Sequence, residues 1–254
     1  MCGRPISQPA RGRPRRHCSA ACRQVAYRTR RNGERRRRLI TLVEGDALEF
    51  LDSLPAESVD LIVTDPPYRF ARGTKYFRNW FPDLPDSVWP DVLVKLFRVL
   101  RPDRHAYILC DLRTAPLFAS ASQRAGFRLD RELVWNKMTP GLGGGVYRPQ
   151  REAILLLQKG RRAGNHHRLG DILSYPRVRG KRAYPTEKPV ALLGDLIGQS
   201  TQPGETVLDP FCGSGSTGHA ARALGRRALL ADINTDVPAR RLRLTAVPLG
   251  ATKG

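Results

Sequence analysis

Apolar residues fall into two patterns that alternate along the chain. Short runs rich in Val, Ile and Leu occur at Val59-Asp60-Leu61-Ile62-Val63-Thr64, 106–110, 131–135, 153–157, 206–209 and 228–232, and each reads as a strand. Between them lie stripes at helical spacing. Val88, Trp89, Val92, Leu93, Leu96, Phe97 and Leu100 predict a helix over 86–100 that ends before Pro102, with a shorter helix near 115–125. A third, over 190–197, starts after Pro189. Strands alternating with helices imply the α/β class, a three-layer, doubly wound sheet with helices on both faces. The β-branched and leucine residues of the 59–64 run read as a strand buried on both faces, so the loop after it should emerge at the strand's carboxyl end, where open α/β sheets place ligands.

That loop is Asp65-Pro66-Pro67-Tyr68. The residue types suit methylation of an exocyclic amine, whose lone pair is delocalised into its ring and must be localised before it can attack. A carboxylate at Asp65 can accept one amino hydrogen and the Pro66 carbonyl the other. Pro66 and Pro67 fix the backbone that carries this carbonyl. Tyr68 offers a flat face for a base, an arrangement worth about 1–3 kcal/mol per base in single-strand binders. A base inside a duplex would have to be extruded to reach it. The competing reading is a plain turn after a strand.

A second motif, Thr206 to Gly218, reads as a strand, a glycine-rich turn and a helix start. Gly213, Gly215 and Gly218, with Asp232 at the end of the next apolar run, satisfy a dinucleotide fingerprint, so a nicotinamide enzyme is a rival. A phosphate loop is excluded because no lysine follows the glycines. Asp209 at the turn would repel a pyrophosphate but suits a ligand carrying an ammonium group, as S-adenosylmethionine does. Asp232 would accept hydrogen bonds from ribose hydroxyls.

Four segments in this order, Val43 to Leu48, Asp65 to Tyr68, Tyr184 to Pro189 and Asp209 to Thr217, resemble the S-adenosylmethionine-dependent amino-methyltransferases of DNA in which the catalytic motif precedes the cofactor motif. The similarity spans roughly residues 39–232. It implies a Rossmann-like methyltransferase sheet with permuted motif order and a double-stranded DNA substrate with its base flipped. By resemblance, Asp65, Pro66, Pro67 and Tyr68 are catalytic. The cofactor would be bound by Asp46 at the adenine, Asp209, Gly213, Ser214 and Gly215 at the methionine portion and Asp232 at the ribose, with Ala47, Phe211, Ser216 and Thr217 also in its site and Lys188 in the pocket or at a helix start. An acid at the first loop position leans towards adenine-N6. Cytosine-N4 and a catalytically dead DNA-binding adaptor are the alternatives. Arg104-His105 stands where the family has a tight glycine turn, which leaves that loop's geometry open.

Composition narrows the partner. The formal charge is +21 and the pI about 10.9, which fits a polyanion. Residues 1–38 hold 13 arginines and one acid, Glu34, as a small basic appendage to a catalytic domain over 39–254. Cys2, Cys18 and Cys22 in this appendage resemble part of a zinc knuckle, whose fourth ligand would be His17 or an upstream cysteine. A degenerate, metal-free remnant is the alternative. Residues 138–181, opening on Pro140, Gly141, Gly143, Gly144 and Gly145, are expected to form the target-recognition region, with Arg148, Arg151, Arg161, Arg162, Arg168, Arg177, Arg179, Lys181 and Arg182 facing phosphates. No apolar signal-peptide core or membrane-length stretch occurs, and five cysteines do not form a disulfide framework, so an intracellular protein is expected.

Overall fold

The computed structural model describes residues 24, 39–67, 84–141, 146–165, 169–178, 184 and 186–250. The chain divides after Leu39, and every strand below belongs to Ile40–Gly254. Among the described residues nine strands form one sheet: β1 Ile40–Glu44, β2 Val59–Thr64, β3 Leu100–Cys110, β4 Arg128–Asn136, β5 Arg151–Lys159, β6 Ile172–Ser174, β7 Thr206–Asp209, β8 Arg227–Asp232 and β9 Val247–Pro248. Their order is β6-β4-β5-β3-β2-β7-β8-β1-β9. Among the described residues only β5 runs against the rest, pairing antiparallel with β3 and β4.

The helices cover both faces. α1 Ala47–Ser53, α2 Trp89–Val99 and α3 Ala115–Arg124 pack together on one side; α4 Val190–Ser200, α5 Ser216–Ala223 and α6 Asp236–Leu242 pack on the other. α2 buries the stripe expected of it, Trp89, Val92, Leu93, Leu96 and Val99. It begins later than its periodicity suggests, after a 3-10 turn over Asp86–Val88, because Pro90 suits a first helical turn. Leu100 already belongs to β3, paired with Val59.

The turn expected at Arg104-His105 is a bulge within β3. Val59 pairs with Leu100 but Leu61 pairs with His105, so β3 spends three more residues than β2 between these pairs, while Arg104 still pairs with Lys159 of β5. Asp103 takes the left-handed conformation in place of a glycine (φ 54°), which aspartate tolerates better than most residues. Its carboxylate accepts from the Arg161 amide at 2.8 Å. Gly160 makes the approach possible, since a Cβ there would stand 2.3 Å from the Asp103 oxygen.

The centre of the sheet positions the site. β2 is buried along its whole length and neighbours β7. From β2 the chain leads on to β3 on one side, and from β7 to β8 on the other. Adjacent strands whose connections depart in opposite directions leave a crevice at their carboxyl ends, the usual ligand position in such sheets.

Candidate active site

Asp65 follows β2 and Asp209 ends β7, so residues far apart in sequence open into one pocket. Thr64 joins the strands here: its hydroxyl donates to Asp209 Oδ1 at 2.9 Å. Asp209 Oδ2 accepts from the Thr217 hydroxyl at 2.6 Å, and Oδ1 also accepts from the Phe211 amide at 3.2 Å. Burial outweighs these donors and raises the Asp209 carboxyl from 3.8 to about 7.

The glycine loop curls over this carboxylate. Gly213 (φ 46°) passes under Tyr184, whose ring would lie 3.1 Å from a Cβ at position 213, and its amide donates to Asp232 Oδ2 at 2.8 Å. Asp232 also accepts from the Asn234 amide, and burial raises its carboxyl above the ordinary value. Across the pocket Asp46 caps α1, accepting from the amides of Leu48 and Glu49 at 2.8 and 3.2 Å. Arg241 straps the loop from α6, donating to the Ser214 carbonyl at 2.9 Å and pairing with Glu187 at 2.5 Å.

Asp65 lines the same pocket. Its Oδ2 accepts from Lys188 Nζ, while Oδ1 is shielded from solvent with no hydrogen-bond partner among the described residues. Burial raises Asp65 to about 6, with Lys188 opposing and Glu152 reinforcing the shift. Lys188 also pairs with Glu152 at 3.5 Å, and Glu152 with Lys137 at 2.6 Å. Burial disfavours the Lys188 ammonium, but its two carboxylate neighbours outweigh that and hold it above its usual value.

Of the residues singled out in the sequence, Asp46, Ala47, Asp65, Pro67, Lys188, Asp209, Phe211, Gly213, Ser214, Ser216, Thr217 and Asp232 line this pocket. Pro66 and Gly215 do not. Gly215 instead makes the turn into α5 with φ 76° and backs onto Pro238 and Leu242. Tyr68, the cysteines Cys2, Cys18 and Cys22, and the basic residues Arg168, Arg179, Lys181 and Arg182 lie outside the described residues. Among the described residues no group of three or more His, Cys, Asp or Glu is arranged to hold a metal, and no helix is long and apolar enough to cross a membrane. Cys212 lines the pocket, but burial pushes its thiol well above the ordinary value, so it is a neutral wall residue.

Residues 138–181 contain β5, the strand expected over 153–157, as a central strand of the sheet. Since β5 is antiparallel, it begins at the pocket edge of the sheet and ends at the opposite edge. Arg161 and Arg162 therefore lie away from the pocket, with the Arg162 carbonyl hydrogen-bonded to His105 at 3.0 Å. Arg148 and Arg177 remain on the pocket edge, bonded to the carbonyls of Gly141 and Pro140. Glu152, Lys137 and Thr64 were not singled out from the sequence. Glu152 had a visible signal, an acid near the start of an otherwise apolar strand.

The chemistry of this pocket fits a cationic nucleoside. Four carboxylates, Asp46, Asp65, Asp209 and Asp232, face it with one ammonium, and a glycine loop allows close backbone approach. They can balance a sulfonium and an ammonium and accept from hydroxyls, whereas a pyrophosphate would be repelled.

Comparisons with known proteins agree with this chemistry. A family model described as DNA methylase matches residues 59–237. The chain is 33% identical to the DNA adenine methyltransferase YhdJ of Escherichia coli K12 over 77% of its own length and 79% of that protein's. It is 27% identical to the type II methyltransferase M.HinfI of Haemophilus influenzae, over 74% of this chain and 63% of M.HinfI. Among solved structures, the putative DNA modification methylase TTHA0409 of Thermus thermophilus, complexed with S-adenosyl-L-methionine, superposes with a TM-score of 0.62 at 25% identity, covering 80% of this chain and 92% of that one. The cytosine-N4-specific PvuII DNA methyltransferase shares the fold, with a TM-score of 0.65 at 18% identity over 82% and 88% of the two chains.

Proposed function

This chain belongs to the N6/N4 family of DNA methylases and is an S-adenosylmethionine-dependent DNA methyltransferase; from that premise we propose that its target is the exocyclic N6 of adenine in double-stranded DNA. The observation that carries the proposal is the Asp65 carboxylate, which lines the pocket and whose Oδ1, shielded from solvent, has no hydrogen-bond partner among the described residues. Similarity to a relative named as an adenine methyltransferase, with an acid at position 65, favours adenine over cytosine.

The cofactor supplies an electrophilic methyl group. Asp46, Asp209, Asp232 and the 213–217 loop would hold it, with Asp232 towards the ribose and Asp209 towards the amino-acid portion. The Asp65 carboxylate accepts one amino hydrogen of a base turned out of the helix and the Pro66 carbonyl accepts the other, so the nitrogen lone pair is freed for attack. Tyr68, which follows directly in the sequence, is assigned the stacking face. As the N–C bond forms and the methyl–sulfur bond breaks, the amino nitrogen loses one proton, which Asp65 is placed to accept. No covalent bond to the protein is needed. Arg148 and Arg177, on the pocket edge, are assigned to the DNA backbone, with residues 1–38 as a basic arm adding phosphate contacts.

Expression in a methylation-free host followed by modification-sensitive sequencing tests this reading. Methyl groups on adenine N6 at a short recurrent site are expected. Modification confined to cytosine N4 would replace the adenine assignment, and none on either base would overturn the proposal.

A further inference from the structure

Behind Asp65 the charges alternate across separate elements. Asp65 follows β2, Lys188 precedes α4, Glu152 lies on β5, and Lys137 follows β4. Lys188 Nζ donates to Asp65 Oδ2 and stands at ion-pair distance, 3.5 Å, from Glu152 Oε2, a buried oxygen with no hydrogen-bond partner among the described residues, while Lys137 Nζ holds the other Glu152 oxygen at 2.6 Å. All four side chains are largely withdrawn from solvent, and Glu152 and Lys137 do not line the cofactor pocket. An acid in an apolar strand, away from the ligand yet tied to the catalytic carboxylate through one ammonium, has no packing purpose that a leucine would not serve better.

We infer that Glu152 and Lys137 are positioning residues for methyl transfer: Glu152 shares Lys188 with Asp65, so that Asp65 remains a full hydrogen-bond acceptor for the target amine, and Lys137 sets how far that sharing goes. This rests on the assignment of Asp65 above. An ammonium bound to Asp65 alone would withdraw electron density from the carboxylate that must receive the amino hydrogen. Glu152 competes for that ammonium and so keeps Asp65 basic. Lys137 partly satisfies Glu152, which prevents it from drawing Lys188 off entirely.

The two outer charges must therefore act on Asp65 in opposite directions. Neutralising Glu152 leaves Lys188 wholly to Asp65, so the carboxylate should protonate at lower pH. Neutralising Lys137 draws Lys188 towards Glu152, so Asp65 should protonate at higher pH. The other ionisable groups facing Asp65 are Asp209 at the end of β7, Tyr184 and Cys110, and neither variant alters them.

Single-turnover methyl transfer to DNA at saturating cofactor, measured from pH 5 to 9, separates this role from a structural one. Glu152→Gln should move the acidic limb of the rate profile down and Lys137→Gln should move it up, each by about 0.5–1 pH unit for a buried charge of this kind. Glu152→Asp, which keeps the charge, should return the limb to its wild-type position even if the plateau falls. Cofactor Kd should stay within about twofold in all three, because a change of this size is below the cost of one lost hydrogen bond. Limbs that stay in place, or shift in the same direction, would overturn the inference. Should Glu152→Gln not fold, the upward shift in Lys137→Gln and its absence in Glu152→Asp carry the test. Asp65→Ala run alongside distinguishes the failures: a dead Asp65→Ala with unmoved limbs rejects only the positioning role, whereas an active one rejects the site assignment beneath it.

Discussion

Replacing Asp209 with asparagine should stabilise the cofactor-free protein while weakening its cofactor site. Asp209 is 3% exposed, and its carboxyl is raised by burial from 3.8 to about 7. A folded-state value above the unfolded one means that the favourable contribution is complete below the unfolded pKa and is lost as pH rises through the folded one. At pH 8 the buried carboxylate then costs folding about 4 kcal/mol, at about 1.4 kcal/mol for each pH unit separating the folded and unfolded values. At pH 5, where the folded group is mostly protonated and the unfolded one mostly ionised, the same linkage leaves about 2 kcal/mol. Asparagine keeps the shape and an acceptor oxygen, and the hydroxyls of Thr64 and Thr217 can turn to meet its amide. These figures correspond to a gain in Tm of roughly 10 °C at pH 8 and roughly 4 °C at pH 5 for a domain of this size. The assay is thermal unfolding of both proteins across pH, without and with S-adenosylmethionine. Cofactor affinity should fall about 10- to 100-fold, the range for losing a hydrogen bond to a charged group. An asparagine variant less stable than wild type at pH 8, or a stability difference that does not shrink towards pH 5, would refute the reasoning.

Two further outcomes follow from the same geometry. Gly215→Ala places a Cβ 3.0 Å from Pro238 and 3.1 Å from Leu242 at φ 76°, and should cost about 1–3 kcal/mol through strain and overpacking; a thermal midpoint within about 1 °C of wild type, at about 2–4 °C per kcal/mol, would contradict it. Because Asp65 must be ionised to accept the amine and is held at about 6, the wild-type single-turnover rate should rise with pH and level off above neutrality. A rate already at its plateau at pH 5 would show that Asp65 titrates elsewhere or does not act.

The sheet was largely legible because its central strands are built around runs of Val, Ile and Leu, and β2 and β7 with the loops after them could be read directly. The order of the strands could not be read, since nothing local in Val59–Thr64 or Thr206–Asp209 states that they are neighbours. That adjacency is what brings Asp65 to Asp209 through Thr64. The antiparallel course of β5 was hidden for the same reason, and it moved Arg161 and Arg162 to the far edge. Short edge elements such as β6 and β9 carry too few residues for a period to emerge. Glu152 and Lys137 escaped notice because an ion-pair chain is a tertiary fact: each residue looks ordinary until β4, β5 and the segment before α4 are brought together.

The most direct test of the central claim compares wild type with Asp65→Ala in two readings on the same samples, cofactor binding by calorimetry and transfer of a labelled methyl group from S-adenosylmethionine to DNA in a single turnover. Unchanged cofactor affinity, with transfer lost by at least about a thousandfold on removing the preorganised acceptor, is the predicted result. Transfer at the wild-type rate in Asp65→Ala would contradict it.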